Sequence, residues 1–405
     1  MTNTCIVIGA SHAAAQLVTS LRQEGWQGDI KVIGDEPYLP YHRPPLSKDF
    51  LSGNKQADEL LIRKAPIYEK NDIHFKLNQR VESIDRAHKT VTLSNGEVLV
   101  YDKLALCTGS RVRTVSLPGV ELKGIHYLRN VQDIEAIQQH LVPGKKAVIV
   151  GGGYIGLETA ASLKKQGMDV TVLEMAPRVL ARVTAPELSE FYTRIHSEEG
   201  VNIKTGIAVS AFEGNQQVEK VVCADGSSFA ADLVVIGVGI VPNVELAEAA
   251  GLQVNNGIVV DEYARTNDPD IVAAGDVTNH PNAIYNIRLR LESVPNATDQ
   301  AKSAAASLCG KEKLYSSLPW FWSDQFDLKL QIAGLSQGYD QVILRGDKDK
   351  GRSFAAFYLK EGKLISADCV NRPQEFMFSK RLITEGKDVN VQQLADETVA
   401  MKDLL

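Results

Sequence analysis

One pattern occurs twice in this chain. The stretch CIVIGASHAAAQLVTSLRQEGWQGDIKVIGDE (5–36) aligns with AVIVGGGYIGLETAASLKKQGMDVTVLEM (147–175), with Gly9 on Gly151, Leu21 on Leu163 and Gly25 on Gly167 without a gap. Each copy reads as strand, glycine turn, amphipathic helix, glycine stop and second strand, and each closes on a carboxylate, Asp35 or Glu174. That is one βαβ unit written twice. At 405 residues the chain is too long for one ordinary core. The repeat therefore predicts an α/β protein with two doubly wound domains.

The second copy carries the full G-x-G-x-x-G pattern. Gly151 makes the tight turn, Gly153 lets backbone approach a pyrophosphate, and Gly156 lets helix and strand pack closely. An anion then rests on free N–H groups at the helix N-terminus, where the helix dipole favours negative charge. Glu174 stands about 20 residues on, where an acidic group grips ribose hydroxyls. The first copy departs from the pattern at Ser11 and Ala14. Alanine still permits close helix–strand contact. Ser11 is the larger departure, because its side chain intrudes where a phosphate comes closest, although its hydroxyl can donate to that phosphate. His12 reads either as a base or as a helix-terminal residue beside phosphate. Taken alone, this copy is a substituted nucleotide turn or a strand–turn–helix that happens to begin with glycine.

Two further segments have the form of ligand-bearing strand ends. LALCTGS (104–110) is an apolar run closed by small residues, and TNDPDIVAAGDV (266–277) ends with Asp276 at its tip. Ligands of open α/β sheets bind at strand C-termini, so Asp276 is a candidate ligand for a polyol chain. Composition narrows the partners. A net charge of -6 argues against nucleic acid. The five cysteines form no C-x-x-C pair, which excludes a local dithiol or zinc knuckle and suits a reducing compartment. No basic leader precedes the first strand, and no apolar run approaches the roughly 18 residues of a spanning helix. The expectation is a soluble cytoplasmic protein without membrane contact or metal.

The Gly9 turn, YHRPPLSKDF (41–50), CTGS (107–110), GGGYIGLE (151–158), GVGIVPN (237–243), TNDPDIVAAGDV and PWFWSDQ (319–325) together carry a family resemblance. The sequence resembles the two-dinucleotide-fold, FAD-dependent pyridine nucleotide reductases of glutathione-reductase-like architecture. RPPLSK and FWSDQ look most like the NADH-dependent ferredoxin and rubredoxin reductases that serve Rieske-type oxygenases and bacterial cytochrome P450 systems. The resemblance implies an FAD-binding domain from 1–113 and 241–318, an NAD-binding domain at 114–240 and a C-terminal α+β domain at 319–405.

For FAD it implies Gly9, Ser11, His12, Ala14, Asp35 with Glu36, Arg43, Lys48, Val81, Thr108, Gly109, Arg129, Asp276 and Val294. For NADH it implies Gly151, Gly153, Tyr154, Ile155, Gly156, Glu158, Glu174, Arg182 and Gly239. Lys48, Glu158 and Trp322 are its implied catalytic residues, with Trp320 the second choice for an aromatic against the flavin. A lysine beside the flavin stabilises negative charge on the reduced ring and raises its potential. Glu158 would pair with Lys48 or orient the carboxamide. A carboxylate at 174 favours NADH over NADPH, despite Arg178 and Arg182 nearby.

Disulfide reductases and peroxidases of this fold hold cysteine where this chain has YHRPPLSKDF. Without that thiol, electrons entering as hydride must leave by another route. Flavin can release them singly, which suits a small acidic iron–sulfur carrier, ferredoxin or rubredoxin. Arg288 with Arg290, and Arg63 with Lys64, are candidate docking cations. Two other outcomes stay open: a flavoprotein resembling apoptosis-inducing factor, with a sensing role, and an NADH oxidase or quinone reductase. A monomer or weak homodimer is expected.

Overall fold

The structure, a computed structural model, describes residues 3–404. Its contacts divide the chain into two units. One comprises the residues up to His42, Asp58–Arg111 and Val241–Pro319; the other comprises Arg43–Ala57, Val112–Ile240 and Trp320–Leu405.

The first unit is built on a parallel sheet in the order Ile271–Ala273, Lys103–Leu106, Thr4–Ile8, Asp29–Ile33, Ile73–Lys76. Short apolar runs rich in valine and isoleucine form these strands because both faces of the sheet are covered. Successive side chains point to opposite faces. Cys5 and Val7 accordingly enter a core with Leu17, Leu21 and Ala301, while Ile6 and Ile8 enter another with Leu104, Leu106 and Ile271. The helix His12–Glu24 lies against Val294–Leu308, whose buried alanines at 297, 301, 304 and 305 allow close approach. It stops at Gly25, whose φ of 102° is one that a glycine adopts at no steric cost. Each fully buried leucine here contributes about 1.5–3 kcal/mol.

The second unit repeats the plan with the parallel order Asn202–Thr205, Asp169–Glu174, Lys146–Val150, Leu233–Ile236, Ile125–Tyr127. Its helix Tyr154–Lys165 follows the complete glycine turn. The chain's C-terminal part adds an antiparallel sheet in the order Trp320–Gln325, Leu328–Gly334, Lys363–Val370, Phe354–Lys360, Gln341–Arg345. The helix Pro373–Glu385 packs on that sheet. FWSDQ, which reads in sequence as an aromatic run, is thus an edge strand. Among the described residues no helix is long and apolar enough to cross a membrane.

Candidate functional site

The two glycine turns are built alike at their first residue. Gly9 N–H donates to Ile33 O and Gly151 N–H to Leu173 O, each at 2.8 Å. Both glycines have strongly positive φ, 104° and 113°. A Cβ on Gly9 would lie 2.1 Å from Cys107 O, and one on Gly151 would lie 2.3 Å from Gly237 O. The third position also acts through packing: a Cβ on Gly156 would sit 2.1 Å from Gly151 O. Gly153 differs, because its Cβ would meet nothing within 4 Å. It is the N-cap of Tyr154–Lys165 with no side-chain cap, so the first N–H groups of that helix have no capping side chain. Ser11 caps His12–Glu24 without a side-chain hydrogen bond to the helix. His12 and Ala14 are buried on that helix.

The carboxylates at the two strand ends are not equivalent, which corrects the sequence alignment. Register pairs Ile8 with Ile33 and Val150 with Leu173, so Glu174 corresponds to Gly34 and Asp35 falls one residue later. The physical reason is a connection two residues shorter between the glycine stop and the second strand in the second copy, Gly167 to Asp169 against Gly25 to Asp29. Side-chain volume is exchanged at the same time. In the second copy Gly152 faces Glu174, and a Cβ on Gly152 would lie 3.1 Å from Glu174 Cβ. In the first copy Ala10 faces Gly34, and a Cβ on Gly34 would lie 2.6 Å from Ala10 Cβ. Asp35 is exposed, while Glu36 is half-buried and accepts a hydrogen bond from Tyr41 OH.

Glu174 is held by its own backbone, Oε2 accepting from Gly152 N–H at 2.6 Å and Oε1 from Ala176 N–H at 2.7 Å. Arg178 is occupied by Ser189 Oγ and Ala181 O. Arg182 is exposed, and its guanidinium lies 3.9 Å from where a Cβ on Gly239 would stand. Ile155 is 45% exposed on the first turn of the helix. The Tyr154 ring packs on Phe321 at 5.1 Å.

In the first unit the strand ends carry a linked set. Ser110 Oγ donates to Asp276 Oδ2 at 3.0 Å. Thr108 Oγ1 donates to Asn243 O, and Asn243 Nδ2 returns a bond to Thr108 O, both at 2.8 Å. Asn243 closes GVGIVPN, and its clamp on the Thr108–Gly109 turn was not read from sequence. Val81 is buried in the core, and Val294 opens the helix capped by Ser293.

Within the second unit, RPPLSK and FWSDQ converge on one buried carboxylate. The two prolines start a short turn, Pro44–Ser47, that delivers Ser47 and Lys48 to the helix Tyr154–Lys165. Glu158 is 2% exposed and lies 3.1 Å from Lys48 Nζ. Its Oε2 accepts from Ser47 Oγ at 2.6 Å; its Oε1 accepts from Ser323 Oγ at 2.7 Å and Asp324 N–H at 3.3 Å. Four donors therefore offset the desolvation of one carboxylate, and the charge of Lys48 is balanced where it stands. Arg43 donates to Arg129 O at 2.7 Å in the same unit. Trp322 is half-buried on the opposite strand face from Ser323, its ring 5.6 Å from Trp320, which in turn packs on Phe376. Ser47 and Ser323 lie inside quoted motifs, but nothing in sequence assigns them to Glu158.

Three of the four candidate docking cations bond to backbone carbonyls. Arg288 donates to Val260 O and Asn279 O, and Arg290, only 12% exposed, donates to Asp276 O and pairs with Glu292. Arg63 donates to Ala15 O. These guanidiniums tether neighbouring backbone segments through their carbonyls, while Arg288 and Lys64 remain exposed.

Residues 3–301 match the family described as pyridine nucleotide-disulphide oxidoreductase, and residues 320–405 match a region described as reductase C-terminal. Putidaredoxin reductase CamA of Pseudomonas putida is 43% identical over 406 residues, covering 99% of this chain and 96% of that protein. The probable ferredoxin reductase CtmF of Castellaniella defragrans is 43% identical over 401 residues, covering 98% of each. The crystal structure of the covalent putidaredoxin reductase–putidaredoxin complex matches with a TM-score of 0.96 at 43% identity, covering 99% of this chain and 98% of that one.

Proposed function

The chain belongs to the pyridine nucleotide-disulphide oxidoreductase family, and from that premise we propose that it is an NADH-dependent flavoprotein passing electrons to a small iron–sulfur protein of ferredoxin or rubredoxin type. Its relatives' names, putidaredoxin reductase and ferredoxin reductase, support that acceptor class. FAD, when bound, supplies the two-electron to one-electron conversion.

Both turns fit a dinucleotide. Open space before Gly153, beside an uncapped helix N-terminus, suits a pyrophosphate. In our reading Gly151, Gly153, Gly156 and the backbone-locked Glu174 hold NADH. The lone pairs left on Glu174 receive ribose hydroxyls, and its charge repels a 2′-phosphate. Gly9, Ser11 and Asp276, the last oriented by Ser110, hold FAD. Glu158 fixes Lys48, whose ammonium then favours the reduced, negatively charged ring. Trp322 lines the route outward.

The observation that carries this reading is the clasp on Glu158, assembled from RPPLSK and FWSDQ, in a chain with no cysteine at 41–50. Burial pushes the Cys107 thiol up to about 12, so it supplies no thiolate for an internal disulfide relay. The carrier is small and acidic, and the setting is cytoplasmic, with the chain a monomer or weak homodimer. Steady-state reduction of cytochrome c by NADH, with and without added ferredoxins and rubredoxins, tests the proposal. Acceleration by one of these carriers is expected. Fast oxygen consumption that no carrier alters would instead mark an NADH oxidase.

A further inference from the structure

Glu158 is the end of a longer chain of hydrogen bonds whose other members have no role so far. Ser323 Oγ lies 2.7 Å from Glu158 Oε1, Gln325 Nε2 lies 3.1 Å from Ser323 Oγ, and His196 Nε2 lies 2.8 Å from Gln325 Oε1. All four side chains are at most 2% exposed. Water therefore does not compete for these contacts. The chain links the helix Pro186–Glu198 to the edge strand Trp320–Gln325 and on to the helix of the glycine turn.

Its polarity follows from its anionic end. A carboxylate only accepts, so Ser323 commits its single proton to Glu158. The Ser323 oxygen then accepts, so Gln325 turns its amide nitrogen toward it and its carbonyl toward the imidazole. That carbonyl only accepts, so His196 must carry its proton on Nε2. Nδ1 is left bare, buried and without a partner. Burial also lowers the His196 pKa to about 4, which keeps the ring neutral at ordinary pH. Every dipole in the series therefore points its positive end at Glu158, and aligned donors of this kind reinforce one another in a dry interior.

We propose that Ser323, Gln325 and His196 are positioning residues: a polarised chain that fixes Glu158 Oε1 and, through it, the place of the Lys48 ammonium. Helix-to-strand bracing alone would need no particular tautomer; this chain requires one. The functional half of the proposal rests on the reading of Lys48 given above, whereas the tautomer does not.

The test uses the flavin-loaded protein labelled with ¹⁵N-histidine. His196 is expected as the neutral Nε2–H tautomer, and its signals should shift in Ser323→Ala although Ser323 does not touch it. In stopped-flow reduction by NADH, Ser323→Ala and His196→Leu should lower the limiting rate about three- to tenfold, the scale of losing one ordinary hydrogen bond. NADH affinity should hold. His196→Gln keeps an N–H donor at the same reach and should recover the rate to within about twofold. A proton on Nδ1, or His196→Gln no better than His196→Leu, overturns the proposal. Lys48→Ala separates the two readings. Wild-type reduction in Lys48→Ala refutes the role of Lys48, whereas a slow Lys48→Ala beside fast Ser323→Ala and His196→Leu refutes the chain alone.

Discussion

Gly153 and Gly156 stand three residues apart in one motif, and the structure predicts that alanine at each fails for a different reason. A Cβ on Gly156 would lie 2.1 Å from Gly151 O, more than 1 Å inside ordinary contact, with backbone that cannot rotate away. Overpacking of this kind costs about 1–3 kcal/mol, and for a unit of the size that holds Gly156 each kcal/mol lowers Tm by about 2–4 °C. Gly156→Ala should therefore lose several degrees of Tm. Gly153 has φ -80° and ψ 179°, which alanine adopts freely, and its Cβ would meet nothing within 4 Å. The lost N-cap preference and the reduced entropy of the unfolded chain nearly cancel, leaving stability within about 0.5 kcal/mol. Its methyl group stands where the pyrophosphate is proposed to pass. If crowding the phosphate costs the same 1–3 kcal/mol, NADH affinity falls about five- to 150-fold. Thermal unfolding of the flavin-loaded variants and NADH titration in stopped flow give both numbers. NADH affinity unchanged in Gly153→Ala, or an unchanged Tm in Gly156→Ala, would refute the division of labour.

Three more outcomes are expected. Lys48→Ala leaves Glu158 buried without its cation and should slow flavin reduction by about tenfold or more and lower the flavin potential; potentiometry and stopped flow read both, and unchanged values would remove the role of Lys48. Burial holds the Asp368 carboxyl up at about 6, with Thr184 and Tyr358 as its hydrogen-bond donors. The unfolded group titrates near 3.9, so the folded state gains a proton between these values and loses stability as pH rises from about 4 to about 6, by at most about 3 kcal/mol. Asp368→Asn should abolish that component, so wild-type and variant unfolding free energies should diverge across this window; parallel curves from pH 4 to 7 would contradict it. Finally, Glu174→Ala with Met175→Arg should raise NADPH use relative to NADH, since Met175 is 75% exposed beside Glu174 while Arg178 is already engaged; steady-state kcat/KM for both coenzymes reads the change, and an unaltered ratio would count against the ribose contact.

The parts of this fold legible in sequence are those governed by local rules. Runs such as TCIVI and KAVIV become buried parallel strands because β-branched residues suit a sheet covered on both faces, and Gly9 and Gly151 announce turns that other residues reach only with strain. Lys48 and Glu158 were legible as candidates because each lies in a motif. Their shared surroundings were not: Ser47, Ser323 and His196 come from separate elements, and only the folded chain decides which hydroxyl faces which carboxylate. The alignment of Asp35 with Glu174 failed for a related reason, since a connection two residues shorter shifts the strand end without disturbing the glycines. The carbonyls that Arg288 and Arg290 hold were not legible, because charge in a sequence does not reveal which backbone a guanidinium will meet.

The exchange between Ala10 with Gly34 and Gly152 with Glu174 also restricts how one turn could be turned into the other. Placing glutamate at 34 while alanine remains at 10 drives two Cβ atoms to 2.6 Å, and placing alanine at 152 while glutamate remains at 174 crowds the same junction. In each copy the large residue can arrive only after its neighbour has been cut back to glycine. The order of two substitutions therefore matters as much as their identity. A chain holding glycine at both positions is the one passable intermediate between a turn that ends in glycine and a turn that ends in an acid.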